Sequence, residues 1–322
     1  MIRGLHFVLL ALLACTANAQ LPVDSIAEAD ISRMLTYLAS DSLKGRGDCQ
    51  PELQVAAHYI EQVFMHAGLK KLLPEYVQSF TAKEVQADER IRNTVEPNCS
   101  DKPLFNVVAM LPGKTLPGEI VLFSAHYDHL GVVKDWGRDS IFNGANDNAS
   151  GTAGLLALAS YYAKRADNER TLVFCAFGGE ELGLLGSQYF VQNFNTGAIK
   201  AVVNIEMIGR ATAVGKRAVF ITGADQSTFA SIFKKHIGKT IAIRNEPDVE
   251  KQLFMRSDNY PFALQGIPAH TIMCSDDSDP YYHRADDEVR RIDVQNMSII
   301  IRAIASGCKS IIAGTDTPRQ PY

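Results

Sequence analysis

The sequence predicts an α/β fold with a mixed, mainly parallel central sheet flanked by helices on both faces. Three observations carry this. From Ile120 onward, short apolar runs alternate with segments whose apolar residues recur at helical spacing. The 322 residues are 46% hydrophobic, enough to bury one large core. Acidic and imidazole side chains follow the apolar runs, where open α/β sheets bind their ligands.

The elements follow in order. Ile26 to Leu38 and Leu53 to Ala67 carry apolar residues at helical spacing. Glu75 to Val85 and Phe105 to Leu111 read as strands, and Ile120 to Ala125 as a third. Thr152 to Ala163 is a helix, Leu172 to Phe177 a strand, Leu182 to Phe194 a helix and Ala201 to Ile205 a strand. Val219 to Thr222 is a strand and Phe229 to Ile237 a helix. A short helix, Asn259 to Leu264, precedes a strand, His270 to Cys274, and Val294 to Ile312 closes the chain as one long helix.

The first residues read as an export signal. Arg3 is the basic start, Phe7 to Ala14 the apolar stretch, and Ala17-Asn18-Ala19 a small-x-small cleavage site. Residues 1–19 are therefore expected to be removed. Residues 20–322 form one domain in which residues 20–50 are an N-terminal helical extension. A second reading takes Leu12-Leu13-Ala14-Cys15 as a lipid-attachment signal with the anchor on Cys15. The apolar stretch is too short to span a bilayer. Both readings export the chain, to the periplasm or beyond it. The formal net charge of −4 argues against nucleic acid or an anionic membrane as a partner. Cys49 and Cys99 lie in polar, loop-like stretches and are assigned to a disulfide, while Cys175 lies in an apolar strand and reads as core.

Five residues carry the chemistry: His126, Asp147, Glu181, Glu206 and His283, with Glu180 beside Glu181. Imidazole and carboxylate in this order form a donor set for two adjacent metal ions, with one carboxylate left for proton transfer. Each has a plainer explanation. His126 and Asp128 are polar residues at a strand end. Asp147, in Asn143-Gly-Ala-Asn-Asp-Asn-Ala-Ser-Gly-Thr152, lies where helix caps are common. An acid in Gly178-Gly-Glu180-Glu181 suits a helix N-terminus, though two acids suit it less well. Glu206 ends a strongly apolar strand, where a carboxylate needs a metal or a partner such as Arg210. His283 would pass as a loop histidine, with Asp287 four residues on. Taken together, the plainer explanations require several independent coincidences at strand ends.

These segments resemble peptidase family M28, the aminopeptidases with two zinc ions. The resemblance runs from about Leu38 to Gly314. It includes Leu38-Ala-Ser-Asp-Ser-Leu-Lys-Gly-Arg46 and Arg256-Ser-Asp-Asn-Tyr-Pro-Phe262, which brings in Asp258. It implies an α/β/α sandwich holding two Zn2+ per chain, with Co2+ or Mn2+ as substitutes. Asp147 would bridge the ions, Glu181 and His283 would complete one site, and His126 and Glu206 the other. Glu180 would be the general base and Asp128 would stand behind His126. Tyr281 or Tyr282 is a loose match for a tyrosine steadying the oxyanion, and the Asp147–Asn148 bond would be cis. The family usually has Asp where this chain has Glu206, which puts the second site's metal preference in question.

The implied activity is zinc-dependent removal of N-terminal residues from peptides. A carboxypeptidase or dipeptidase, a glutaminyl-cyclase-like enzyme with one zinc, and a non-catalytic binding protein are the alternatives. Oligomeric state is not readable. Val132 to Phe142, which holds Trp136, lies between two candidate ligands and would shape access to the site.

Overall fold

The computed structural model describes residues 26–86, 99–133 and 139–320. The export signal, Cys15 and Trp136 lie outside the described residues. Strands are β1 (Lys70–Lys71), β2 (Val77–Thr81), β3 (Pro103–Leu111), β4 (Leu116–His126), β5 (Gly131–Val132), β6 (Ile141–Phe142), β7 (Arg170–Phe177), β8 (Ile199–Ile205), β9 (Ala218–Ile221), β10 (Ala242–Arg244) and β11 (Ala269–Met273). Helices are α1 (Glu28–Leu38), α2 (Pro51–His66), α3 (Gly151–Arg165), α4 (Leu185–Asn193), α5 (Phe229–His236), α6 (Tyr260–Ala263), α7 (Val294–Gly307) and α8 (Lys309–Ile312).

Among the described residues the main sheet runs β1-β3-β7-β4-β8-β11-β9-β10, with β2 also on β3. Its centre, β7-β4-β8-β11, is parallel. The joins β3–β7 and β11–β9 are antiparallel, so the sheet is mixed as expected. Period-2 alternation divides the core between its two faces. Val121, Phe123, Leu172 and Phe174 pack on one side, beneath α1, α2, α3 and α7. Leu122, Val173, Phe177 and Val202 pack on the other with Phe190 of α4 and Phe262 of α6.

Several boundaries differ from the sequence reading. The expected strand Glu75 to Val85 is only Val77–Thr81, because Thr81 N–H donates to the Glu84 carboxylate at 2.7 Å and opens a 3₁₀ turn. The helix expected from Leu182 begins at Leu185, after a turn in which Gly183 (φ 102°) and Leu184 (φ 62°) are left-handed. The last helix breaks between Gly307 and Lys309. Periodicity does not register such breaks, since the apolar pattern runs through them.

The N-terminal helix is docked against the body of the fold. Ile31, Met34, Leu35 and Leu38 of α1 are buried against α3 and α7, and Arg302 donates to the Ile26 carbonyl at 2.7 Å. A 3₁₀ segment, Asp41–Arg46, then runs beneath the loops that follow β4. Gly45 (φ 68°) is required there, because a Cβ would lie 2.3 Å from the Phe142 carbonyl oxygen. Arg46 is fully buried. Its guanidinium donates at 2.5–3.1 Å to the carbonyls of Leu38, Tyr127, Asn143 and Gly144. Burial pulls its pKa down to about 10 against the pull of surrounding carboxylates. A disulfide joins Cys49 to Cys99, as expected, and Cys175 is a buried free thiol. No described helix is long and apolar enough to cross a membrane.

Arg46→Met leaves the buried carbonyls of Leu38, Tyr127 and Asn143 without a donor, each at roughly 1–3 kcal/mol, while the Gly144 carbonyl keeps the Ala149 N–H. The variant is expected to unfold at lower urea than wild type, with a loss of about 3 kcal/mol or more. An unchanged midpoint would mean that these bonds do not hold the fold.

Candidate metal centre

All five sequence-predicted donors converge at the carboxyl ends of the parallel strands. His126 is the last residue of β4, Glu181 follows β7, Glu206 follows β8, and His283 lies in the loop after β11. Asp147 sits in a tight π-type turn, Ala145–Ser150, before α3. The Asp147–Asn148 bond is cis. Asp147 stands between two donor sets. Its Oδ1 lies 3.4 Å from His126 Nε2, and its Oδ2 lies 3.2 Å from His283 Nε2. His283 Nε2 also lies 3.3 Å from Glu181 Oε2. His126, Asp147 and Glu206 form one set, and His129, Asp147, Glu181 and His283 the other.

These distances fit a metal better than hydrogen bonds. Ligand bonds of about 2.0–2.1 Å around a tetrahedral ion place neighbouring donors roughly 3.3 Å apart. The contacts of 3.2–3.4 Å match that edge. The Nε2 atoms of His126 and His283 are buried and have no hydrogen-bond partner. Buried nitrogens aimed at a shared point, with carboxylate oxygens around it, are the donor chemistry of zinc.

The turn that carries Asp147 is held from behind. Asp287 accepts the N–H groups of Asn146 and Asp147 at 3.0 and 3.1 Å. Asn148 Oδ1 accepts from Met207 N–H at 3.1 Å, and Asn146 Oδ1 from Gly209 N–H at 2.9 Å. The turn is thereby fastened to the segment after β8. Asp147 is not the cap of this helix: Asn148 Oδ1 accepts the Gly151 N–H at 2.9 Å, and the Ser150 hydroxyl donates back to the Asn146 carbonyl at 2.7 Å. Arg210 does not pair with Glu206. It binds Asp279 at 2.7 Å and Asp287 at 2.6 Å.

Glu206 is oriented by a polar row crossing the sheet interior. Asn204 donates to Ser257 at 2.7 Å, and the Ser257 hydroxyl donates to Glu206 Oε2. Asp128 stands beside His126, Oδ1 to Nδ1 3.6 Å, and its Oδ2 accepts Glu181 N–H at 3.1 Å. Asp258 is buried, with neither oxygen hydrogen-bonded. Tyr282 stacks on His283 at 3.9 Å and lines the pocket over Asp147, Glu180 and Glu206. Tyr281 is turned to other work: its ring lies 3.9 Å from the Arg291 guanidinium, and its hydroxyl accepts from Arg291 at 2.8 Å. His129, in Asp128-His129-Leu130, received no role from the sequence. An imidazole three residues after His126 gives no signal without a fold.

The electrostatics follow from burial and crowding. Burial pushes the Glu206 and Asp258 carboxyls up to about 7 and holds Glu180 well above its ordinary range. Burial acts the same way on Asp147 and Glu181, but the facing imidazoles win. Asp147 is held well below the usual carboxylate range, and Glu181 comes down to about 2. Burial opposes charge on His283, yet Asp147 and Glu181 push it up to about 10.

The sequence model of "Peptidase family M28" matches residues 106–307. The chain belongs to peptidase family M28. A probable leucine aminopeptidase from Trichophyton verrucosum is 29% identical over 202 residues, 60% of this chain and 53% of the relative. Aminopeptidase YwaD from Bacillus subtilis is 27% identical over 186 residues, 56% of this chain and 38% of the relative. The matched span is thus about half or less of these relatives' length. The fold is like that of a zinc aminopeptidase from Bacillus subtilis, with TM-score 0.68 at 15% identity over 91% of this chain and 97% of that one. It is also like the glutaminyl cyclase of Porphyromonas gingivalis, with TM-score 0.66 at 17% identity over 90% and 100%. The M28 match thus agrees with the resemblance carried by the motifs.

The carboxyls held above their ordinary range keep protons that the unfolded chain has already released. Metal-stripped protein should therefore lose stability as pH rises from about 5 to about 7, because the folded state binds more protons there. His283, also raised, adds to the loss at higher pH. Asp147 and Glu181 act oppositely, but only below about pH 4. Melting of chelator-treated protein across this range tests the sign, and saturating zinc should flatten the slope. A Tm that rose between pH 5 and 7 would contradict the cluster's protonation.

Proposed function

We propose that this M28 member is an exported aminopeptidase that takes two zinc ions per chain and removes residues from peptide N-termini. The convergence of His126, Glu181, Glu206 and His283 on Asp147, with Glu180 in the adjoining pocket, carries the reading. Glu181 and His283 would hold one ion and His126 and Glu206 the other, with Asp147 shared. The longer side chain of Glu206 still brings a carboxylate oxygen within 4.8 Å of donor atoms of His126 and Asp147, which supports its place in the second site. The Cys49–Cys99 disulfide supports an oxidising compartment and so the exported reading.

Bound zinc supplies Lewis acidity, lowering the pKa of water and polarising a scissile carbonyl. Glu180, half-buried at the pocket floor, takes the proton from the attacking water and returns it to the leaving amine. Ser257 fixes one oxygen of Glu206. Asp128 and Asp287 hold the backbone of Glu181 and Asp147, so the donors do not reorganise during the reaction. Met207, Leu253, Met273 and the Tyr282 ring give the pocket an apolar wall for the substrate side chain.

Aminoacyl chromogenic amides with free N-termini should be cleaved in a zinc-dependent way, and their N-acetylated forms should not. Cleavage of the acetylated forms would overturn the aminopeptidase reading. Glu180→Gln should bind the same zinc but lose roughly 100- to 10,000-fold in kcat. Glu206→Ala should bind one zinc ion where wild type binds two, as counted by metal analysis after gel filtration.

A further inference from the structure

His129 is a third imidazole at the centre, and the geometry gives it a task of its own. Its side chain is fully buried and its ring meets that of His283 edge-on at 5.6 Å. Its backbone N–H donates to the Arg46 carbonyl at 3.3 Å. The Gly144 backbone presses on the ring so closely that a Cβ there would lie 2.5 Å from Cδ2. The ring plane is therefore fixed, and the 2.8 Å contact with Glu181 Oε1 sets Nδ1 toward the carboxylates.

Distance separates its role from those of its neighbours. His283 Nε2 stands 3.2 and 3.3 Å from Asp147 and Glu181, the spacing of two ligands on one ion. His129 Nδ1 stands 2.8 Å from Glu181 Oε1, the length of a charge-assisted hydrogen bond, and 3.8 Å from Asp147 Oδ2. A carboxylate only accepts, so the proton is on Nδ1. The opposite nitrogen, Nε2, is buried without a partner. We propose that His129 is a positioning residue: its Nδ1–H ties up Oε1 of Glu181, so that Oε2 alone is offered beside His283 and Asp147. Asp128, one residue earlier, accepts the Glu181 N–H, so one loop holds Glu181 at both backbone and side chain. One-oxygen binding keeps a coordination position free, as catalytic zinc sites need.

The proposal rests on the two-zinc reading, and one titration tests both. Wild type, His129→Asn, His129→Gln and His129→Leu are titrated with zinc against a chromogenic chelator, and the cobalt-loaded forms are compared by visible absorption. Wild type should bind two ions. His129→Leu should weaken one of them by roughly 10- to 100-fold and leave the other unchanged. His129→Asn should restore affinity and the cobalt spectrum, because the Asn amide nitrogen falls where Nδ1 lies. His129→Gln, which mimics Nε2, should not. Three variants that bind like wild type would overturn the role. So would Gln rescuing in place of Asn. An Asn variant as weak as Leu, with a native circular dichroism spectrum, would make His129 a direct ligand and overturn the proposal. If the Leu variant does not fold, the Asn and Gln variants still decide. Wild type that binds fewer than two ions would instead sink the two-zinc reading itself.

Discussion

The structure turns on one electrostatic constraint, the gathering of Asp147, Glu180, Glu181, Glu206 and Asp258 at the carboxyl end of the central strands. Carboxylates out of water cost several kcal/mol each unless charge or hydrogen bonds answer them. Three imidazoles, His126, His129 and His283, face part of that charge. Burial first, and the neighbouring carboxylates after it, raise the pKa values of Glu180, Glu206 and Asp258. A protein keeps such a cluster when cations answer it, which is why the crowding points to chemistry and not to stability.

The donors are aimed mainly by groups behind them. Asp287, fixed by Arg210, accepts the backbone N–H groups of the Asp147 turn. Asn146 and Asn148 stitch that turn to the segment carrying Glu206. Arg46 grips carbonyls on both sides of the loop between His126 and Asp147. These are side chains bonded to backbone, so they fix where a loop runs and leave its donor side chains free. Arg46 also lies outside the span matched by the family model, residues 106–307. Arg46 thereby braces, from the N-terminal side of the chain, the loop that leads to Asp147.

Much of this was legible in the residues. The sheet class, the Cys49–Cys99 bond and the meeting of His126, Asp147, Glu181, Glu206 and His283 in space all emerge as the motifs suggest. Apolar runs that end in an unexplained acid are readable because a buried lone carboxylate is expensive. Element ends were less legible. The Gly183–Leu184 turn interrupts a pattern that stays apolar throughout.

The sequence by itself determined which residue types reach the ends of the parallel strands, because apolar periodicity and costly buried charge are both written locally. Only the tertiary structure decided what each atom faces. It turned Tyr281 toward Arg291 and away from the pocket, and gave Arg210 to Asp279 and Asp287 in place of Glu206. It brought Arg46 beneath the centre from about 80 residues before Tyr127, and set His129 at hydrogen-bond distance from Glu181. The reason is that pairings depend on sub-ångström distances between segments far apart in the chain, and no local pattern carries that information.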